Sequence, residues 1–224
     1  MTLLHADAPL ALAVFGWLVA VPVVAHAAWS VRRSFLPTPS VQNAWFAAIV
    51  TVSLLWALHV RSPVGMDFGL FGSALVALVF GRARAVLGLM AALVLYTALD
   101  GGSWFNIGIN GVVLALVPAW LATALQRQIE QRLPKNLFVF IIGNGLFVTL
   151  AATVCASALV LGLSGVEAAG ELRMFGDHLA YSLLLAWGEA LLSGMLFSAL
   201  VVFTPQSVLT YRQDLYLPPR RPLT

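Results

Sequence analysis

The sequence is short of charge. Asp, Glu, Lys and Arg together make up 9% of its residues, while 61% are hydrophobic. A soluble domain carries about 25% charged residues, because its surface must face water. A chain this apolar cannot cover such a surface, so a soluble globular fold is excluded and an integral membrane protein is expected. Cysteine is nearly absent too. Cys155 stands alone, so no internal disulfide can form, and its place in an apolar run reads as a small buried hydrophobe. Catalytic signatures are also missing. There is no Gly-rich phosphate loop with Lys-Ser/Thr, no Ser/His/Asp arrangement, no paired-Cys motif and no haem attachment motif. The chain is not expected to be an enzyme, and nothing in it points to nucleic acid.

What is present is a series of long apolar runs. A helix needs roughly 20 apolar residues to cross the hydrocarbon. Spans are expected near Leu10–Trp29, Asn43–His59, Phe68–Phe80, Ala85–Leu99, Ile107–Leu125, Leu137–Leu163 and Leu179–Phe203. The third and fourth are short and joined only by Gly81–Arg84, as a tight hairpin or a partly re-entrant pair. The N-terminal run lacks a basic leading region and is too long for a signal sequence, so it reads as a retained span. The expected fold is an all-α bundle of about seven transmembrane helices in a single domain, residues 1–217. Residues 218–224 read as a cytoplasmic tail.

Lys and Arg set the orientation, because basic short loops stay in the cytoplasm. Arg32 and Arg33, Arg82 and Arg84, Arg127 with Arg132 and Lys135, and Arg212 with Arg220 and Arg221 follow spans one, three, five and seven. The opposite loops carry only Arg61 and Arg173. Seven spans, N-terminus outside and C-terminus cytoplasmic, place every basic cluster on one side; six would misplace one. Asp7, Asp67, Asp100, Glu167, Glu171 and Asp177 then fall on the outer side and bias that mouth towards cations.

Helices in lipid associate through close approach of small residues. Gly69, Ser73, Ala77 and Gly81 recur every four residues and predict a helix-packing face. Gly111, Ala115 and Ala119, then Gly16 with Ala20 and Gly194 with Ser198, form similar rows. Glu189 is the costliest residue, deep in the last span. It must be paired, protonated or turned to a polar cavity. Asn110 and Asn144 offer amides, so the three are expected to form a buried polar centre, either behind a substrate path or as a structural lock. His26, His59 and His178 show no tight metal spacing. A divalent site would have to be assembled in space, with His5 and Asp67 as its candidate ligands.

Four segments carry a resemblance: "GMDFGLFGSALVALVFG" (65–81), "NIGINGVVLALVP" (106–118), "FVFIIGNGL" (138–146) and "GEALLSGMLFSALVVFTPQSVLTYRQDLYL" (188–217). They are similar to the permease of cobalt/nickel uptake systems of the energy-coupling factor type, the CbiM/NikM-like family, in its proteobacterial branch. The resemblance implies a multi-pass subunit of the bacterial inner membrane that captures Co2+ or Ni2+ as substrate. It implies a transmembrane coupling subunit and cytoplasmic ATPases of the ABC type as partners. In metal-binding members of this family, a second-residue histidine and the histidine of a His-Leu-Leu-Gly motif hold the ion. Here residue 2 is Thr, and the motif reads Gly69-Leu70-Phe71-Gly72. A second expectation therefore stands beside the first: a member that lost the site and serves as an accessory subunit among other membrane subunits.

Overall fold

The computed structural model describes residues 9–32, 36–58, 60–61, 67–68, 71–100, 102–165 and 172–216. It is a helical bundle. The long helices are α1 (Leu10–Val31), α2 (Pro39–Ala57), α4 (Arg82–Asp100) and α9 (Leu172–Phe203). Two further crossings are each broken by a π-helical turn. α5 (Ile107–Gly111) passes through Val112–Leu116 into α6 (Val117–Arg132), and α7 (Leu137–Ile142) passes through Gly143–Val148 into α8 (Thr149–Gly165). Among the described residues, six helical segments are long and apolar enough to cross a membrane. α3 (Ser73–Phe80) is not one of them: eight residues rise only about 12 Å.

The side-chain bonds between α2 and α4 show what α3 does. Trp45 Nε1 donates to Arg84 O at 3.1 Å, and Ser53 Oγ lies 3.1 Å from Ala92 O, a sequence separation of 39 in both. Trp56 meets Tyr96 edge to face, 6.4 Å between centroids. A constant separation along the pair means that α2 and α4 run parallel. The chain must therefore return between them, and α3 is the lower part of that return. Its start lies near Trp56, whose Nε1 donates to Phe71 O at 2.8 Å. Its far end meets the segment after α9: Leu209 N–H donates to Val79 O at 2.8 Å, and the Thr210 hydroxyl donates to Leu78 O. With α3 counted beside the six long helical segments, the described residues hold seven helical passes or part-passes.

The expected third span at Phe68–Phe80 needs correction. The helix begins only at Ser73. Asp67 and Phe68 form a two-residue strand that pairs antiparallel with Val60–Arg61, Arg61 opposite Asp67. Gly72 stops any earlier helix, because its φ of +64° is left-handed. Gly81 ends α3 at φ +77°. The four-residue packing row therefore does not lie on one helix. Ser73 and Ala77 sit fully buried on α3, Gly81 caps it, and Gly69 lies outside the described residues. Every residue of α3 except Leu75 is buried, which makes this short helix the bundle's central post.

Other small residues do bring backbones together. A Cβ on Gly16 would meet Ile109 N at 2.3 Å, so α1 and α5 touch backbone to backbone. A Cβ on Gly145 would meet Gly194 Cα at 2.9 Å, so the second π-turn lies on α9. The expected start of α2 shifts to Pro39, where Thr38 Oγ1 accepts from Val41 N–H as the N-cap. Tyr211 and Tyr216 of the Tyr-x-x-Asp-x-Tyr segment pack on Phe140, at 5.3 and 4.7 Å between centroids. Burial, then the nearby Glu130 carboxylate, pushes the Tyr216 hydroxyl up to about 12. The tail from residue 217 onward lies outside the described residues.

Candidate functional site

Glu189 lies in the middle of α9 and is 2% exposed. A carboxylate placed there must have its oxygens satisfied, or it costs several kcal/mol. The chain satisfies it with backbone. Phe71 N–H donates to Oε2 and Gly72 N–H to Oε1, each at 3.0 Å. The Thr153 side chain on α8 hydrogen-bonds the same carboxylate. Consecutive N–H groups converge on one anion because Gly72 takes the left-handed conformation. The anion also lies beside the N-terminus of α3, where the helix dipole is positive.

The turn Phe71–Gly72–Ser73 is therefore held on three sides. Glu189 takes its N–H groups, Trp56 Nε1 donates to its Phe71 carbonyl, and the Ser73 hydroxyl donates to Leu114 O. The last bond has a local cause. Pro118 has no N–H, so it cannot bond the carbonyl four residues back, Leu114. The π-helical turn Val112–Leu116 presents that carbonyl to α3, and Ser73 fills the vacancy.

The three residues of the expected polar centre are not brought together around one carboxylate. Glu189 and Asn144 are both buried, at 2% and 0% exposure, but they are not partners. Neither Nδ2 nor Oδ1 of Asn144 has a hydrogen-bond partner, and Thr149 Oγ1 on the same segment has none. Asn110 is half-buried on α5, which packs chiefly on α1 and α4. The residues that hold Glu189 were missed because two of them contribute only main-chain N–H groups. Thr153 could have been found: with Asn144, Thr149 and Ser157 it forms a buried polar row on the helix facing α9.

The structure leaves the expected metal ligands untested. His5 and Gly69 lie outside the described residues, and so does the side chain of Asp67, whose backbone is in the strand pair. Among the described residues no three His, Cys, Asp or Glu side chains gather as a metal-binding group. The anchored turn begins two residues after position 69, so it fixes the chain end to which that position is joined.

The fold has solved counterparts. A crystal structure of a truncated transition metal transporter superposes with a TM-score of 0.68 at 18% identity, covering 87% of this chain and 95% of that one. Another, of a transition metal transporter, gives a TM-score of 0.68 at 17% identity, covering 92% and 96%. At this identity the likeness establishes the fold. A search of curated proteins finds no match. The CbiM family, described as the cobalt uptake substrate-specific transmembrane region, matches residues 8–207. The chain belongs to that family, and is a multi-pass membrane component of metal uptake rather than an enzyme.

Proposed function

We propose that the chain is the substrate-binding membrane subunit of an energy-coupling factor ABC uptake transporter for a divalent transition metal such as Co2+ or Ni2+. It would sit in the bacterial inner membrane with its basic end in the cytoplasm. A transmembrane coupling subunit and cytoplasmic ATPases would supply the driving force. The observation that carries the reading is the Glu189 anchor. It pins the returning segment deep in the bundle at Phe71 and Gly72, two residues after the position where the family places an imidazole. Such a pin pre-organises the chain on either side of it, and pre-organisation lowers the ordering cost of binding. The acidic residues Asp67 and Asp100 lie towards the same, non-basic end and favour the approach of cations.

A second reading has its own support. Thr2 and Gly69 offer no imidazole, and glycine has no side-chain donor at all. A member without these ligands would keep the bundle and act as an accessory subunit of a larger membrane complex. Metal analysis of the purified protein after equilibration with Ni2+ or Co2+ separates the two. One ion per chain in the wild type supports the transporter subunit. An empty wild type that fills only in a Thr2→His, Gly69→His double variant supports the accessory subunit.

A further inference from the structure

A groove opens on the side of the bundle between α1, the start of α4 and the first π-helical turn, with a volume of about 830 Å³. Its wall along α1 runs from Val19 to Ser30. From the first to the last of these residues the helix rises about 16 Å, close to half of the roughly 30 Å hydrocarbon thickness. The inner end is closed, because α1 meets α5 backbone to backbone at Gly16 and Gly108 just beyond Val19. The walls are apolar, as at Val23, Val112 and Leu116. The polar groups gather at the outer rim of one end: His26, Ser30 and Arg82. Arg82 is exposed and, among the described residues, is the one Lys, Arg, Asp or Glu that lines the groove. It belongs to the basic end of the bundle, with Arg32 and Arg84.

A crossing helix of a partner needs about 30 Å of wall, and this groove offers about half of that before it closes. An acyl chain begins at the membrane surface and ends at the midplane, which matches both the length and the closed inner end. A cation at the rim selects the headgroup. Basic pockets between membrane helices on the cytoplasmic side bind anionic lipid headgroups. We propose that this groove is a binding site for one anionic phospholipid of the leaflet at the basic end, with an acyl chain along Val23, Val112 and Leu116 and the headgroup phosphate on Arg82. This site is separate from the Glu189 anchor and does not depend on the metal reading.

The test is lipid retention. Protein purified in mild detergent is re-lipidated with phosphatidylglycerol or phosphatidylcholine of identical chains, and lipid per protein is read by native mass spectrometry. One basic residue near the surface should favour the anionic lipid about five-fold, at about one molecule per chain. Arg82→Gln should abolish that preference while leaving the groove able to hold either lipid. Val23→Trp should block the acyl path along Val112 and Leu116 and remove both. Equal retention of the two lipids by the wild type overturns the proposal, as does an unchanged preference in Arg82→Gln. A cross-link from Val23→Cys to a co-purified membrane protein, with no lipid retained, also overturns it and assigns the groove to a partner helix.

Discussion

The two π-helical turns are the same deviation in two adjacent crossings, with opposite consequences. The first, Val112–Leu116, is followed by Pro118, and the carbonyl that the proline leaves free is bonded by Ser73. The second, Gly143–Val148, has no proline to explain it. Gly145 lets it lie against Gly194, and the turn leaves Asn144 and Thr149 buried without partners. One turn is closed by a hydrogen bond, the other by packing. Both serve Glu189. The first turn holds Ser73, next to the N–H groups that Glu189 accepts. The second inserts one residue into its helix, which rotates everything after it by about 100°, and Thr153 then reaches the carboxylate. Irregular backbone in a membrane is tolerated where it is buried in protein, and here it is buried around one anion.

The comparison breaks most directly at Glu189 itself. Glu189→Ala would leave two main-chain N–H groups and a hydroxyl unpaired in the core, a cost of about 3–5 kcal/mol. At about 2–4 °C per kcal/mol for a chain of this size, thermal unfolding in detergent should fall by roughly 10 °C. Glu189→Gln keeps one acceptor oxygen and should fall by less than half as much. An alanine variant as stable as the wild type would show that neither turn is organised around this residue.

The packing half of the comparison rests on Gly145. Valine there would put Cβ against Gly194 backbone, which cannot give way; overpacking of this kind costs about 1–3 kcal/mol. Gly143→Ala is the control on the same turn, because its Cβ would meet the flexible end of Ile129 at 3.2 Å. Gly145→Val should unfold several degrees below Gly143→Ala. Equal values would mean that close approach to α9 is not what holds the second turn.

The hydrogen-bonded half can be tested as a cycle. Ser73→Ala should cost about 1–2 kcal/mol by leaving Leu114 O bare. Pro118→Ala supplies an N–H that can reach the same carbonyl within the helix. The double variant should therefore lose clearly less than Ser73→Ala does alone, a coupling that double-mutant analysis reads directly. Additive losses would show that the proline and the serine act on different groups.

How much of this was legible in the sequence differs between the same regions. Long apolar runs gave six of the crossings, because nothing but a helix satisfies its own backbone in lipid, though the run expected to end at Leu125 continues to Arg132. Basic residues predict an odd number of passes, and the parallel pairing of α2 with α4 requires a return between those two helices. The third crossing was misjudged in form. Residues 65–81 are apolar enough for a helix, but Gly72 requires a left-handed turn, and hydropathy does not record φ. Glu189 stood out because a buried carboxylate is costly. Its partners did not, because a main-chain N–H has the same signature at every residue. Pro118 announced the first π-turn in principle; Gly143 and Gly145 read equally well as ordinary packing glycines.

The smallest expected effect falls on the open part of the second turn. Asn144 has both amide atoms buried and unpaired, so it bears a desolvation cost without a compensating bond. Leucine has nearly the same shape and no polar atoms. Replacing a buried unsatisfied group by an apolar one of similar size is close to neutral or stabilising, within about 1 kcal/mol. Asn144→Leu should therefore unfold at the wild-type temperature or a few degrees above it. A clear loss would mean that the amide has a partner in the membrane, a buried water or an ion, and that the second turn, like the first, is closed by a polar bond.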